Sequence, residues 1–240
     1  MKTVRTSIIA TLILAIISFA ACKKGSNKSS VVPSGTAKLS FQMKATNATL
    51  ASLPADSTST ITGLTWTAGT ANIGKFSFEA RRSGVSINIL SRNLTNVDLF
   101  ALTPLQTYVT LDTGVYKEIE ITAFLESTDT IPPLKLSGTF LNDSAKTVPI
   151  EFDLSGHATV KVEEHNIDIN GTTDYTALLD MQLGRVTKGI TADDLNKATL
   201  TNGAIIISKT SNSGLYWKMR SNIARCGWGE FREWRRDHDD

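Results

Sequence analysis

The chain has 240 residues, with 25 Lys and Arg against 23 Asp and Glu, a formal net charge of +2. So even a balance gives no strong field and argues against nucleic acid as a partner. Two cysteines, Cys22 and Cys226, are too few for a disulfide scaffold, so stability must come from a packed core.

The N-terminus carries Lys2 and Arg5, then an apolar run from Ile8 to Ala21 broken only by Thr11 and Ser18. It closes on Ala20-Ala21 and Cys22. This is the order of a signal peptide over residues 1–21: basic start, short apolar stretch, small-residue cleavage site. The run is shorter than the roughly 20 residues a membrane-spanning helix needs. Phe19-Ala20-Ala21-Cys22 resembles the bacterial lipobox, in which the thiol is acylated and Cys22 becomes the mature N-terminus. Phe19 stands where Leu is usual. The competing reading is an ordinary secretory signal cut near Ala21. Two or more acyl chains suffice for stable anchoring. Residues 22–36 then form a Ser-, Lys- and Gly-rich tether, whose composition cannot bury enough apolar surface to offset ordering entropy. No Asp follows Cys22, which by resemblance to lipoprotein sorting signals implies the outer membrane. The periplasmic and outer faces both stay open.

The body, residues 37–226, reads as strands. Alternation of apolar and polar residues marks half-buried strands. Leu39, Phe41 and Met43 share one face. Phe76, Phe78 and Ala80 alternate with Lys75, Ser77, Glu79 and Arg81. Ser83-Gly84 turns the chain into Val85, Ile87 and Ile89, a hairpin. Ile119 and Ile121 alternate with Glu118 and Glu120. Pro132-Pro133 closes that region before Leu134 and Leu136. Val148, Ile150, Phe152 and Leu154 alternate, as do Val160 and Val162, and Asn170-Gly171 predicts a hairpin with positive φ at both positions. Tyr175 to Val186 is apolar and open between strand and helix. Thr191 reads as an N-cap with Asp194 closing a capping box. Residues 203–208 read as a strand. Ser213 is placed to cap a final helix with Leu215, Met219 and Ile223 on one face. Turn signals every 8–15 residues or so predict a mainly β fold, an antiparallel sandwich (prealbumin-like or Ig-like) with a short C-terminal helix.

Three groups of segments carry a family resemblance. They are Gly35-Thr36-Ala37-Lys38-Leu39-Ser40-Phe41, Gly114-Val115-Tyr116-Lys117-Glu118-Ile119, and Asp193-Asp194-Leu195-Asn196-Lys197-Ala198-Thr199 with Thr201-Asn202-Gly203 and Ile205-Ile206-Ile207. In these the chain resembles a family of Bacteroidota envelope lipoproteins with a prealbumin-like or adhesin-like β-sandwich. The resemblance implies no catalytic residues. A second resemblance concerns modification. Some Bacteroidota O-glycosylate the Ser or Thr of Asp-Ser/Thr followed by a small or apolar residue. Asp56-Ser57-Thr58, Asp129-Thr130-Ile131 and Asp143-Ser144-Ala145 have that form, in predicted loops, which makes Ser57, Thr130 and Ser144 candidate sites.

Several chemistries are weighed and set aside. Gly69-Thr70-Ala71-Asn72-Ile73-Gly74-Lys75 has the spacing of a phosphate-binding loop, but Phe76 replaces the hydroxyl that holds magnesium. The segment leads into a strand and reads as a loop between strands. Glu163 and His165 would share a strand face with Lys161, offering two ligands where a closed metal site needs about four. Asp168, Asn170 and Asp174 surround the predicted turn without the spacing of a calcium loop. Cys226, the one candidate thiol nucleophile, has no base that spacing can identify.

The segment from Trp217 to Asp240, whose last part 227–240 is taken as a tail, combines Trp217, Trp228 and Trp234 with Arg220, Arg225, Arg232, Arg235 and Arg236, then Asp237-His238-Asp239-Asp240. It reads as a helix end packed by aromatics and followed by a frayed charged terminus, against the alternative of a membrane or polysaccharide contact. The resulting expectation is a lipid-anchored outer-membrane protein without enzymatic activity or cofactor, serving binding, adhesion or structure. Its partners would be the membrane, with protein or polysaccharide as further possibilities. The alternative is carbohydrate or small-ligand binding in a nutrient-uptake system, with Trp66 and Tyr108 as an aromatic platform in loops.

Overall fold

The computed structural model describes residues 35–47, 63–83, 85–101, 104–128 and 130–235. The expected signal peptide, Cys22, Ser57, His238 and the end of the tail lie outside the described residues.

Within these bounds the chain is a mainly β sandwich with short helices near its C-terminal end. The smaller sheet has the order β12-β9-β1-β4, from β1 (Thr36–Thr46), β4 (Pro104–Asp112), β9 (Thr173–Gln182) and β12 (Gly227–Arg235). The larger sheet contains β2 (Leu64–Arg82), β3 (Val85–Asp98), β5 (Gly114–Glu126), β6 (Leu134–Leu141), β7 (Thr147–Asp153), β8 (His157–Ile169), β10 (Leu200–Thr201) and β11 (Ala204–Ile207). The alternating faces close on each other as their sequence predicts. Leu39, Phe41 and Met43 of β1 are buried against Phe76, Phe78 and Ala80 of β2. The Phe41 ring lies 4.9 Å from Phe76 and 5.3 Å from Phe78, in edge and tilted arrangements that aromatic rings prefer.

The long strand β2 organises the larger sheet. Along Thr70–Arg82 one of its edges pairs with β3, through the Ser83 turn that the sequence predicts. Its other edge changes partner: Leu64–Ala71 pairs with β6, and Ile73–Arg81 with β5. The sheet therefore forks at Asn72. One branch continues as β6-β7-β11-β10 and the other as β5-β8. The residues that resemble a phosphate-binding loop, 69–75, lie inside this strand and not in a loop. Gly74 sits at a bulge between Ile73 and Lys75, whereas Gly69 pairs in register with Leu136.

Three sequence expectations need correction. Two pairings are parallel, β1 with β9 and β11 with β7, because alternation reports which face is buried and not the direction of the neighbour. Asn170-Gly171 does not make a hairpin, since β8 pairs with β5 and β9 with β1 and β12. The turn instead carries the chain from one sheet to the other. Neither residue has positive φ; glycine is needed at 171 because a side-chain carbon there would sit 3.0 Å from the Cα of Gly35. A helix does end in the segment from Trp217, at Ile223, but 227–235 is not a frayed terminus. It is β12, paired over nine positions with β9, and a side-chain carbon at Gly227 would lie 2.7 Å from the carbonyl oxygen of Lys161 in β8. The fold thus extends past the expected boundary at 226.

Three helices follow β9. In α1 (Leu183–Val186), Leu183 and Val186 are buried. In α2 (Ala192–Asn196), the predicted capping box is present: the Asp194 N–H donates to Thr191 Oγ1 at 3.1 Å and the Thr191 N–H to Asp194 Oδ2 at 2.9 Å. In α3 (Ser213–Ile223), Leu215, Met219 and Ile223 are buried as predicted, joined by Tyr216. The cap position is Asn212 and not Ser213. Asn212 has φ of 50°, and its side chain bridges Thr199 and the Ile206 carbonyl at 2.9 Å.

Candidate functional site

Strand direction gives the sandwich two ends. β1 and β5 begin where β2, β4, β8 and β12 finish. At this first end the Thr113 N–H and hydroxyl both donate to the Gly35 carbonyl at 3.0 Å. The Arg82 guanidinium donates to the Thr113 carbonyl and pairs with Asp112. At the opposite end lie the close of β5, residues 127–128 and 130–133, and the close of β1 and β9. The branch formed by β6, β7, β11 and β10 extends from there.

The aromatic platform expected from Trp66 and Tyr108 is not formed. Trp66 is in β2, 3% exposed and part of the core. Its backbone is held by the Asn47 side chain, which accepts from the Trp66 N–H at 3.1 Å and donates to its carbonyl at 2.7 Å. Tyr108 is 62% exposed, but it stands on β4 with the Lys38 ammonium 5.5 Å from its ring centre.

Glu163 and His165 do share a face, 3.5 Å apart, and cross-strand pairing adds Glu118 and Glu120. One carboxylate oxygen from each of Glu118, Glu120 and Glu163 lies within 4.8 Å of the others. The space among them is already used by cations. Lys161 reaches Glu120 at 2.7 Å and Glu163 at 3.3 Å, and Arg81 reaches Glu118 at 3.1 Å. Burial pulls the Glu120 carboxyl up, but hydrogen bonds from Lys161 and Thr122 and the Lys161 and Arg81 charges outweigh it and hold the group below its ordinary value. The carboxylates and these cations form a cross-strand charge ladder.

Oxygens of Asp168, Asn170 and Asp174 are likewise engaged. The Asp168 carbonyl accepts from the Tyr175 hydroxyl at 3.4 Å, Asn170 Oδ1 from the Thr172 N–H at 3.1 Å, and Asp174 Oδ1 from the Lys38 N–H at 2.9 Å. Cys226 is fully buried, and burial pushes its thiol up to about 12, the opposite of an activated nucleophile. Thr130 and Ser144 are both exposed, Ser144 at the turn between β6 and β7. No helix among the described residues is long and apolar enough to cross a membrane.

The sequence did not single out the fork itself. Where β2 changes partner, the Asn72 N–H donates to the Pro133 carbonyl at 2.9 Å, and its side-chain Nδ2 to the Glu126 carbonyl at 2.5 Å. Asn72 is 3% exposed, and its Oδ1 has no partner. Beside it opens a pocket of about 250 Å3 lined by Asn72, Ile73, Gly74, Thr95, Glu126, Ser127 and Thr128. The Glu126 carboxylate rests over the bare backbone of Gly74, where any side chain would collide with it. The sequence signal was the Asn-Ile-Gly interruption of a strand pattern, which marks an irregularity without saying what meets it.

No protein-family model, curated protein or solved structure matches this chain.

Proposed function

We propose that the chain is a lipid-anchored envelope protein of the outer membrane whose β-sandwich has a non-enzymatic binding, adhesion or structural role. The observation that carries the reading is Phe19-Ala20-Ala21-Cys22 at the end of a short apolar run with a basic start. Thr130 and Ser144, both exposed, are accessible acceptors for O-linked sugar.

Metabolic labelling with a palmitate analogue tests the anchor. Wild type is expected to take up label and to sediment with membranes, and Cys22→Ala to lose both. Wild-type protein that takes up no label and stays soluble would overturn the reading.

A further inference from the structure

We propose that Asn202 is a site of spontaneous covalent modification, at which the side-chain amide leaves as ammonia and water opens the resulting ring. The chain has two Asn-Gly pairs, Asn170-Gly171 and Asn202-Gly203. Glycine lacks a Cβ, so it leaves its own nitrogen open and its backbone free to turn. In the reaction the Gly203 nitrogen attacks the Asn202 Cγ. A bond forms between them, the Cγ–Nδ2 bond breaks, and Nδ2 departs as ammonia with the proton the glycine nitrogen gives up. Water then adds to one ring carbonyl. Opening at Cγ yields Asp, and opening at the main-chain carbon yields an isoaspartyl linkage. No oxidant or reductant is needed.

The structure separates the two pairs. Asn170 Oδ1 accepts from the Thr172 N–H at 3.1 Å and from its hydroxyl at 3.0 Å. Gly171 is wedged, because a side-chain carbon there would sit 3.0 Å from both the Gly35 Cα and the Thr113 Cγ2. Gly35 is itself held by two bonds from Thr113. Bringing the Gly171 nitrogen onto the Asn170 side chain would displace all of these contacts.

Asn202 and Gly203 form the two-residue loop of the β10–β11 hairpin, with φ of 51° and 80°. Both are exposed, and the Asn202 side chain makes no hydrogen bond among the described residues. A side-chain carbon on Gly203 would meet nothing within 4 Å. Ring closure requires the loop to leave its turn conformation. Little opposes that, since β10 is only Leu200 and Thr201, both exposed and paired at a sheet edge. The Asn212 side chain holds Thr199 and Ile206, which confines the opening to the loop and its flanks. The isoaspartyl product lengthens the main chain within a two-residue loop and adds a carboxylate. It would therefore break the pairing of Thr201 with Ala204 at the tip of the branch.

The test uses the full chain, purified in detergent and held at mildly alkaline pH, native in one arm and in guanidinium in the other. Peptide mapping reads the mass change from amide to acid, and chromatography separates Asp from isoaspartate. In the native arm Asn202 is expected to convert about tenfold or more faster than Asn170, as local opening at one site and not the other dictates. In guanidinium the two are expected to convert at similar rates. A native chain in which Asn202 keeps its amide, or loses it no faster than Asn170, would overturn the proposal. So would an unchanged ratio in guanidinium, because the selectivity would then not come from the fold.

Discussion

A buried thiol behaves unlike an exposed one, and Cys226 shows why position outweighs neighbours in sequence. The Gly-Trp-Gly stretch beside it invites a reactive reading, yet Cys226 is fully buried, its N–H donating to the Ile223 carbonyl at 3.1 Å and its carbonyl accepting from the Gln182 N–H at 2.9 Å. With the thiol raised to about 12, the thiolate needed for exchange is scarce at neutral pH. The native protein is therefore expected not to react with Ellman's reagent. In denaturant it should release one thiol equivalent per chain if Cys22 carries lipid, and two would show that Cys22 is unmodified. At this scale the strand faces were legible: Phe76, Phe78 and Ala80 alternate and are buried. Asn72 was not, because its role comes from the Glu126 and Pro133 carbonyls, which are far off in the chain. Trp66 was misread for a related reason, since aromatic character alone does not tell a core strand from a ligand-facing loop.

Elements differ in how locally they are specified. The α2 capping box is written within four residues, Thr191 to Asp194, and it forms as read. Thr191→Ala is expected to cost about 1 kcal/mol, as loss of an N-cap does. The Asp194 carboxylate gives the same cap a pH dependence. It accepts from the Thr191 backbone N–H, and that bond, the Thr191 hydroxyl and Lys218 hold its pKa below the ordinary 3.8. A depressed folded-state pKa contributes stability above the unfolded value, and that stability is lost as pH falls through the folded one. Wild type should therefore be more stable than Asp194→Asn in urea at pH 7, with the gap closing as pH falls below the ordinary 3.8 and through the lower folded-state value; a gap unchanged over that range would contradict the assignment. Other elements depend on distant partners. Asn170-Gly171 marks a turn correctly, but whether the next strand pairs back or crosses to the other sheet is settled by β1. β12 hid its alternation because its inward face is Gly227, Gly229 and Phe231, so little apolar signal shows beside Trp and Arg.

For the whole molecule, the central feature is that a long strand serves two branches while the chain enters at the opposite end. The mainly β class followed from periodicity, which is set by burial of alternate residues. The fork did not, because nothing local to β2 says that its partner changes at Asn72. Thirteen strand positions, Gly114 to Glu126, separate the ends by about 40 Å at the usual rise of roughly 3.3 Å per residue.

Membrane fractionation of wild type beside Cys22→Ala tests the central claim, the lipid anchor, most directly. Wild type is expected in the membrane pellet and Cys22→Ala in the soluble fraction. Wild type in the soluble fraction, or Cys22→Ala held in the pellet as firmly as wild type, would contradict the account.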